Sequence, residues 1–250
     1  MSRTRKQSSE SKPPVSIMLL TVEGISKRFR FHRALEDVSF SVRQGEVLGL
    51  IGPNGAGKTT LFECVAGLMH ADGGKVMFRD QALPAARRKE ALFYMPDAIV
   101  PWAEQTVEWA LRFFENLYAR SEVKARELIE PLKLERLMKA RIKSLSKGER
   151  KRSLLALALL TSHPVLMLDE PFDGLDLRQT RDVMKLLKDH AARGCALMLS
   201  IHQLVDAARV CDRLVLLSEG KIAGEGSIAE LRAQANLTEG GLEEIFLALT

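Results

Sequence analysis

The stretch Gly52-Pro53-Asn54-Gly55-Ala56-Gly57-Lys58-Thr59-Thr60 fits the pattern G-x-x-x-x-G-K-[ST]. Glycines at this spacing let backbone N–H groups turn inward around phosphate oxygens with no side chain in the way. Lys58 brings a mobile positive charge for the β and γ phosphates, and the hydroxyl of Thr59 is placed to ligate magnesium. A helix starting there adds its positive end to the anion site. The apolar run VLGLI ends at Gly52, and residues Thr60 to Leu68 read as a helix, so strand, loop and helix follow in the order a triphosphate loop needs. ATP with magnesium is the expected ligand.

Further along, VLMLDE at Val165 to Glu170 is a buried strand ending in two carboxylates, an expensive placement unless a cation or a proton transfer uses them. Asp169 is the magnesium partner on this reading, and Glu170 the carboxylate that polarises an attacking water for in-line displacement. Capping of the next segment explains the same pair. Ser146, Lys147, Gly148 and Glu149 open the helical run SKGERKRSLLALALLTS, where exposed N–H groups can hold phosphate and where a plain serine cap also fits. His202 follows the strand ALMLS at the carboxyl edge of a parallel sheet, the usual ligand crevice, or else plays a structural part.

These residues need a scaffold. The chain has 250 residues, 46% of them hydrophobic, enough for one compact domain with an insertion. MLLTVEG, ALEDVSFSV and EVLGLI, from Met18 to Leu50, read as strands of an antiparallel sheet. After PDAIVPW come helical segments near Thr106 to Tyr118 and Ser121 to Leu132, an inserted helical subdomain. VLMLD, ALMLS and RLVLLS then alternate with helices near Leu177 to Ala192 and Leu204 to Val210, predicting a parallel sheet covered on both faces. SEGKIAGEG reads as a hairpin turn, and Ser227 as the cap of a short helix.

Of the net charge of +5, +3 sits in the first twelve residues, so the folded part is nearly neutral and shows no basic nucleic-acid-binding face. Residues 1–17 read as a disordered basic tail, with contact to anionic lipid or a partner as the alternative. Cys64, Cys195 and Cys211 form no pairing pattern, which fits a reducing cytoplasm. The longest apolar run, Leu154 to Leu160, falls far short of the roughly 18 residues of a membrane span.

GPNGAGKTT, LSKGERKR, VLMLDEPFDGLD and His202, in that order, resemble the nucleotide-binding subunit of the ATP-binding cassette (ABC) family, from Met18 to about Gly226. The resemblance implies an α/β P-loop cassette: a mixed parallel core sheet, an N-terminal antiparallel β-subdomain, an inserted α-helical subdomain at about 98–160, and short C-terminal helices at about 227–250. It also implies that Ser146, Lys147, Gly148 and Glu149, within the signature Leu145 to Glu149, bind ATP held by a second copy of the chain, head to tail. Carried over, Phe29 corresponds to the aromatic that stacks on adenine, Glu170 to the catalytic carboxylate, His202 to the switch histidine and Asp176 to the loop linking two sites.

Departures are visible. Asp97, in YMPD, stands where many members have glutamine; a carboxylate there still contacts magnesium, though it donates no hydrogen bond. Lys147 replaces a glycine and Glu149 a glutamine. LSKG with an acidic residue after the proline resembles the exporter branch, whose cassettes pair with separately encoded membrane subunits. The implied protein is an ATPase of the cytoplasmic membrane face, with Trp102 and Phe114 near the partner's docking place, or else packed in the core. Two rival readings are a soluble ABC ATPase acting on ribosomes or DNA and a small-molecule kinase. The first usually carries two cassettes or a long coiled coil, and the second leaves Leu145 to Glu149 and His202 idle.

Overall fold

The computed structural model describes residues 17–119 and 121–250, so the expectation of a disordered tail lies outside the described residues except at Ile17. The chain opens with two long strands, β1 (Met18–Phe29) and β2 (His32–Arg43), which pair antiparallel. Next come β3 (Val47–Ile51), α1 (Lys58–Ala66), β4 (Gly73–Phe78), β5 (Gln81–Ala82) and β6 (Leu92–Met95). Between β6 and the following strand lie α2 (Val107–Leu117), α3 (Ala125–Ile129) and α4 (Lys147–Leu160). The chain continues as β7 (Val165–Asp169), α5 (Leu177–Ala192), β8 (Ala196–Ser200), α6 (Leu204–Val210), β9 (Arg213–Ser218), β10 (Lys221–Gly226), α7 (Ile228–Gln234) and α8 (Leu242–Leu249).

Two sheets result. One is antiparallel, in the order β2-β1-β4-β5; the other runs β10-β9-β3-β8-β7-β6, parallel except for the β10 edge. VLGLI therefore does not join the antiparallel sheet that its position in the sequence suggested. All five residues of β3 are buried, as a central strand covered on both faces requires, whereas β2 alternates buried with open positions toward its carboxyl end. The pleat divides the central strands between two cores. Leu48, Leu50, Val165, Met167, Ala196 and Met198 pack toward α1 and the antiparallel sheet, while Leu166, Leu168, Leu197 and Leu199 pack toward α2, α4 and α5.

The helical segment after β6 is shorter than its sequence suggested. α3 holds only Ala125–Ile129: Lys124 is extended and Pro131 brings no N–H to continue the ladder. β4, β5 and β6 are short strands beyond those the sequence pattern predicts. Parallel strands place their carboxyl ends along one edge, and β3, β7 and β8 end there in Ile51, Asp169 and Ser200.

Candidate functional site

At that edge the chain leaves β3 through Gly52 and enters α1 at Lys58. Gly57, the residue before the helix, has φ of 104°, and a Cβ there would lie 2.6 Å from the carbonyl oxygen of Ala34. Only glycine meets both demands. Lys58 is buried and folds back across the loop, its Nζ donating to the carbonyls of Gly52 at 2.7 Å and Pro53 at 3.1 Å. Burial lowers its pKa, and the charges of Glu170 and Asp169 act against that shift.

Asp169 closes β7 in a buried position. The Thr59 hydroxyl donates to its Oδ2 at 3.3 Å, the Tyr94 hydroxyl lies 3.4 Å from the same oxygen, and the Ser200 hydroxyl donates to Oδ1. Glu170 follows in the left-handed region, with φ of 52°. This conformation costs energy in a residue with a side chain. It goes with a carboxyl group whose Oε1 lies 2.7 Å from Nε2 of His202. Burial first, then the neighbouring Asp169, raises the Glu170 pKa to about 7, while Lys58 opposes the rise. Burial and then Lys58 lower that of His202, against the pull of Asp169. Both shifts act against an ion pair, and the contact joins the imidazole to the carboxyl group at hydrogen-bond distance.

A cleft of about 460 Å³ lies over these groups. Of the residues singled out from sequence, Phe29, Asn54, Gly55, Gly57, Lys58, Thr59, Thr60, Asp97, Asp169, Glu170 and His202 line it. Gly52, Pro53 and Ala56 are not in its wall; Gly52 and Pro53 serve through the carbonyls that hold Lys58. Phe29 is half-exposed at the cleft mouth, with the ammonium of Lys27 5.4 Å from its ring centroid.

Ser146, Lys147, Gly148 and Glu149 stay outside this cleft. The Ser146 hydroxyl accepts from the N–H of Glu149 at 3.3 Å, and the Glu149 carboxylate accepts from the N–H of Ser146 at 2.8 Å. This reciprocal box realises the capping role of the serine. Lys147 pairs with Asp173, and Gly148 sits against Gly174 in the turn after β7. Asp176 caps α5 through the N–H of Gln179 at 2.8 Å. Trp102 is 41% exposed but Phe114 only 6%, so an apolar surface there is built from Trp102, Trp109 and Phe113, with Phe114 in the core beneath.

Three groups escaped the sequence reading. Ser200 ends an apolar strand in a polar residue, the same signal that marked Asp169. Tyr94 sits in a strand of four residues, too short to carry a pattern of its own. Lys151 is hidden inside the basic run KGERKR, yet its side chain is buried and its Nζ lies 2.6 Å from Oδ1 of Asp97.

Comparison with known proteins identifies the family. The family model described as ABC transporter matches residues 35–173. The chain is 32% identical over 227 residues to the lipopolysaccharide export system ATP-binding protein LptB of Escherichia coli K12, covering 85% of this chain and 92% of that one. It is 34% identical over 221 residues to the Nod factor export ATP-binding protein I of Burkholderia orbicola, covering 85% of this chain and 72% of that one. A solved structure of the ATP-binding subunit of an ABC transporter superposes with a TM-score of 0.84 at 32% identity, covering 92% of this chain and 99% of the other. The chain belongs to the ABC transporter family, as an ATP-binding, ATP-hydrolysing subunit with an α/β P-loop cassette fold.

Proposed function

We propose that this subunit powers export through a separate membrane-spanning partner, by a cycle in which ATP closes two copies of the chain head to tail and hydrolysis parts them. The observation that carries the reading is the joint placement of Lys58, Thr59, Asp169, Glu170 and His202 on one cleft while Ser146–Glu149 lie outside its wall. Loop N–H groups and Lys58 hold the phosphates, Phe29 offers its ring to the adenine, and Glu170 accepts a proton from the attacking water while His202 holds its carboxyl group in place. Ser146 and Gly148 of the second copy complete the site. Splitting the γ-phosphate then removes the bridge between the protomers.

The oxygen donors fit magnesium. Thr59 and Asp169 would hold it, with Asp97 contributing from the connector after β6, and among the described residues no three His, Cys, Asp or Glu side chains converge as a separate metal cage. An ion held by so few side-chain oxygens takes its other ligands from phosphates and water. When bound, it supplies charge neutralisation on the phosphate oxygens.

Among the described residues no helix is long and apolar enough to cross a membrane. A partner supplies the pathway on this reading, and the chain lies peripherally on the cytoplasmic face. Trp109 and Phe113 stack with centroids 5.2 Å apart beside Trp102, all three half-exposed, a surface suited to an apolar segment of that partner. Export is supported by the two relatives named for export systems.

The test is Glu170→Gln. The variant is expected to bind ATP, to lose about 10²- to 10⁴-fold in kcat, and to accumulate as an ATP-bound dimer in size-exclusion chromatography. Hydrolysis at the wild-type rate would remove Glu170 from its assigned role.

A further inference from the structure

Asp97 is the third carboxylate on the cleft wall, beside Asp169 and Glu170, and Lys58 is the single lysine among the lining residues. Such a wall repels a triphosphate unless its charge is balanced. Lys151 provides the balance from behind. Its side chain is 2% exposed, and its Nζ donates to Oδ1 of Asp97 at 2.6 Å and to the backbone carbonyl of Asp169 at 3.3 Å. A buried ammonium is tolerated only when paired and hydrogen-bonded, and these two acceptors meet that need. They belong to different parts of the fold: Asp97 to the connector after β6, Asp169 to the end of β7. Lys151 itself stands on α4, whose first residues carry the Ser146–Glu149 box.

We propose that Lys151 is a positioning residue for the ATPase reaction. The Asp97–Lys151 pair fixes Asp97 on the cleft wall and cancels its charge toward the phosphates, and Lys151 ties the start of α4 to Asp97 and to the backbone of Asp169 in the same chain. The proposal rests on the reading of the cleft given above.

The experiment compares the full-length chain with Lys151→Met, Lys151→Arg, Asp97→Asn and the double variant Lys151→Met/Asp97→Asn. Equilibrium binding of ATP without magnesium and steady-state kcat and KM with it are measured, along with melting of the nucleotide-free protein. Lys151→Met exposes an unbalanced carboxylate, so it should weaken magnesium-free ATP binding about tenfold and lower kcat, and Asp97→Asn in the same chain should restore binding to within about threefold of wild type. Lys151→Arg should stay within about threefold on its own. Lys151→Gln, which keeps a hydrogen-bond donor without the charge, replaces Lys151→Met should the latter not fold. The proposal is overturned if the uncharged variant binds ATP as the wild type does, or if Asp97→Asn fails to restore binding in a double variant that melts like the wild type. A wild-type chain that neither binds nor hydrolyses ATP would instead overturn the functional reading on which this one stands.

Discussion

At the scale of single residues, Gly148 has two reasons to be glycine. The resemblance assigns it to the partner's nucleotide, and the structure adds a reason within the chain: a Cβ there would penetrate the carbonyl oxygen of Gly174, which has φ of 80° and is itself confined to the left-handed region. The neighbouring Lys147–Asp173 pair fastens the same two segments. Gly148→Ala therefore forces the turn after β7 and the start of α4 apart. A loss of about 1–3 kcal/mol in nucleotide-free stability is expected by chemical denaturation, against about 1 kcal/mol for Ser146→Ala, which removes only the cap. A neutral Gly148→Ala in the absence of nucleotide would leave only the partner-facing reason. Residues of this kind show how far sequence carried. Lys58, Thr59, Asp169 and Glu170 were legible because their motifs are contiguous and end an apolar strand. Lys151 was not, because its partner Asp97 lies 54 positions away and nothing in a basic run says which lysine turns inward.

Elements were legible where one physical signal dominated. α5 matches its sequence-predicted bounds, Leu177 to Ala192, because Thr180, Val183, Met184, Leu187 and Ala191 mark one buried face and Asp176 caps its start. β4 and β6 were less so: β4 begins in two glycines and β6 has only four residues, too few for alternation to stand out. α5 also carries a conflict that only packing reveals. His190 lies in its last turn, where the negative end of the helix favours a charged imidazole, but burial, aided by Arg193, pushes its pKa down to about 4 from 6.5. The sign follows from proton binding. Between pH 6.5 and about 4 the unfolded chain takes up a proton at His190 that the folded chain refuses, so stability is complete above that window and falls as the pH is lowered through it. His190→Gln should flatten that decline by about 1 kcal/mol in denaturation curves taken at pH 7 and pH 4.5, allowing for solvent screening of a partly open site. Equal slopes in the two proteins would place the acid sensitivity elsewhere.

For the whole molecule, the decisive fact is a separation. The cleft holds the loop, the carboxylates and His202, whereas Ser146 and Gly148 lie outside it. On the proposed reading a second copy completes the site with those residues, and a symmetric pair in which each chain lends its α4 start to the other's cleft closes on itself without leaving a free surface to propagate. Mixing inactive variants tests this. Glu170→Gln loses the carboxylate but keeps its Ser146; Ser146→Arg blocks the signature but keeps its Glu170. In a mixed dimer one composite site collects both defects and the other receives an intact Glu170 and an intact Ser146. Random pairing makes half the dimers mixed, each with one of two sites whole, so ATPase activity should return to about a quarter of the wild-type rate per chain, well above either variant alone. If Ser146 served the cleft of its own chain, every site in the mixture would carry one defect, and mixing would restore nothing.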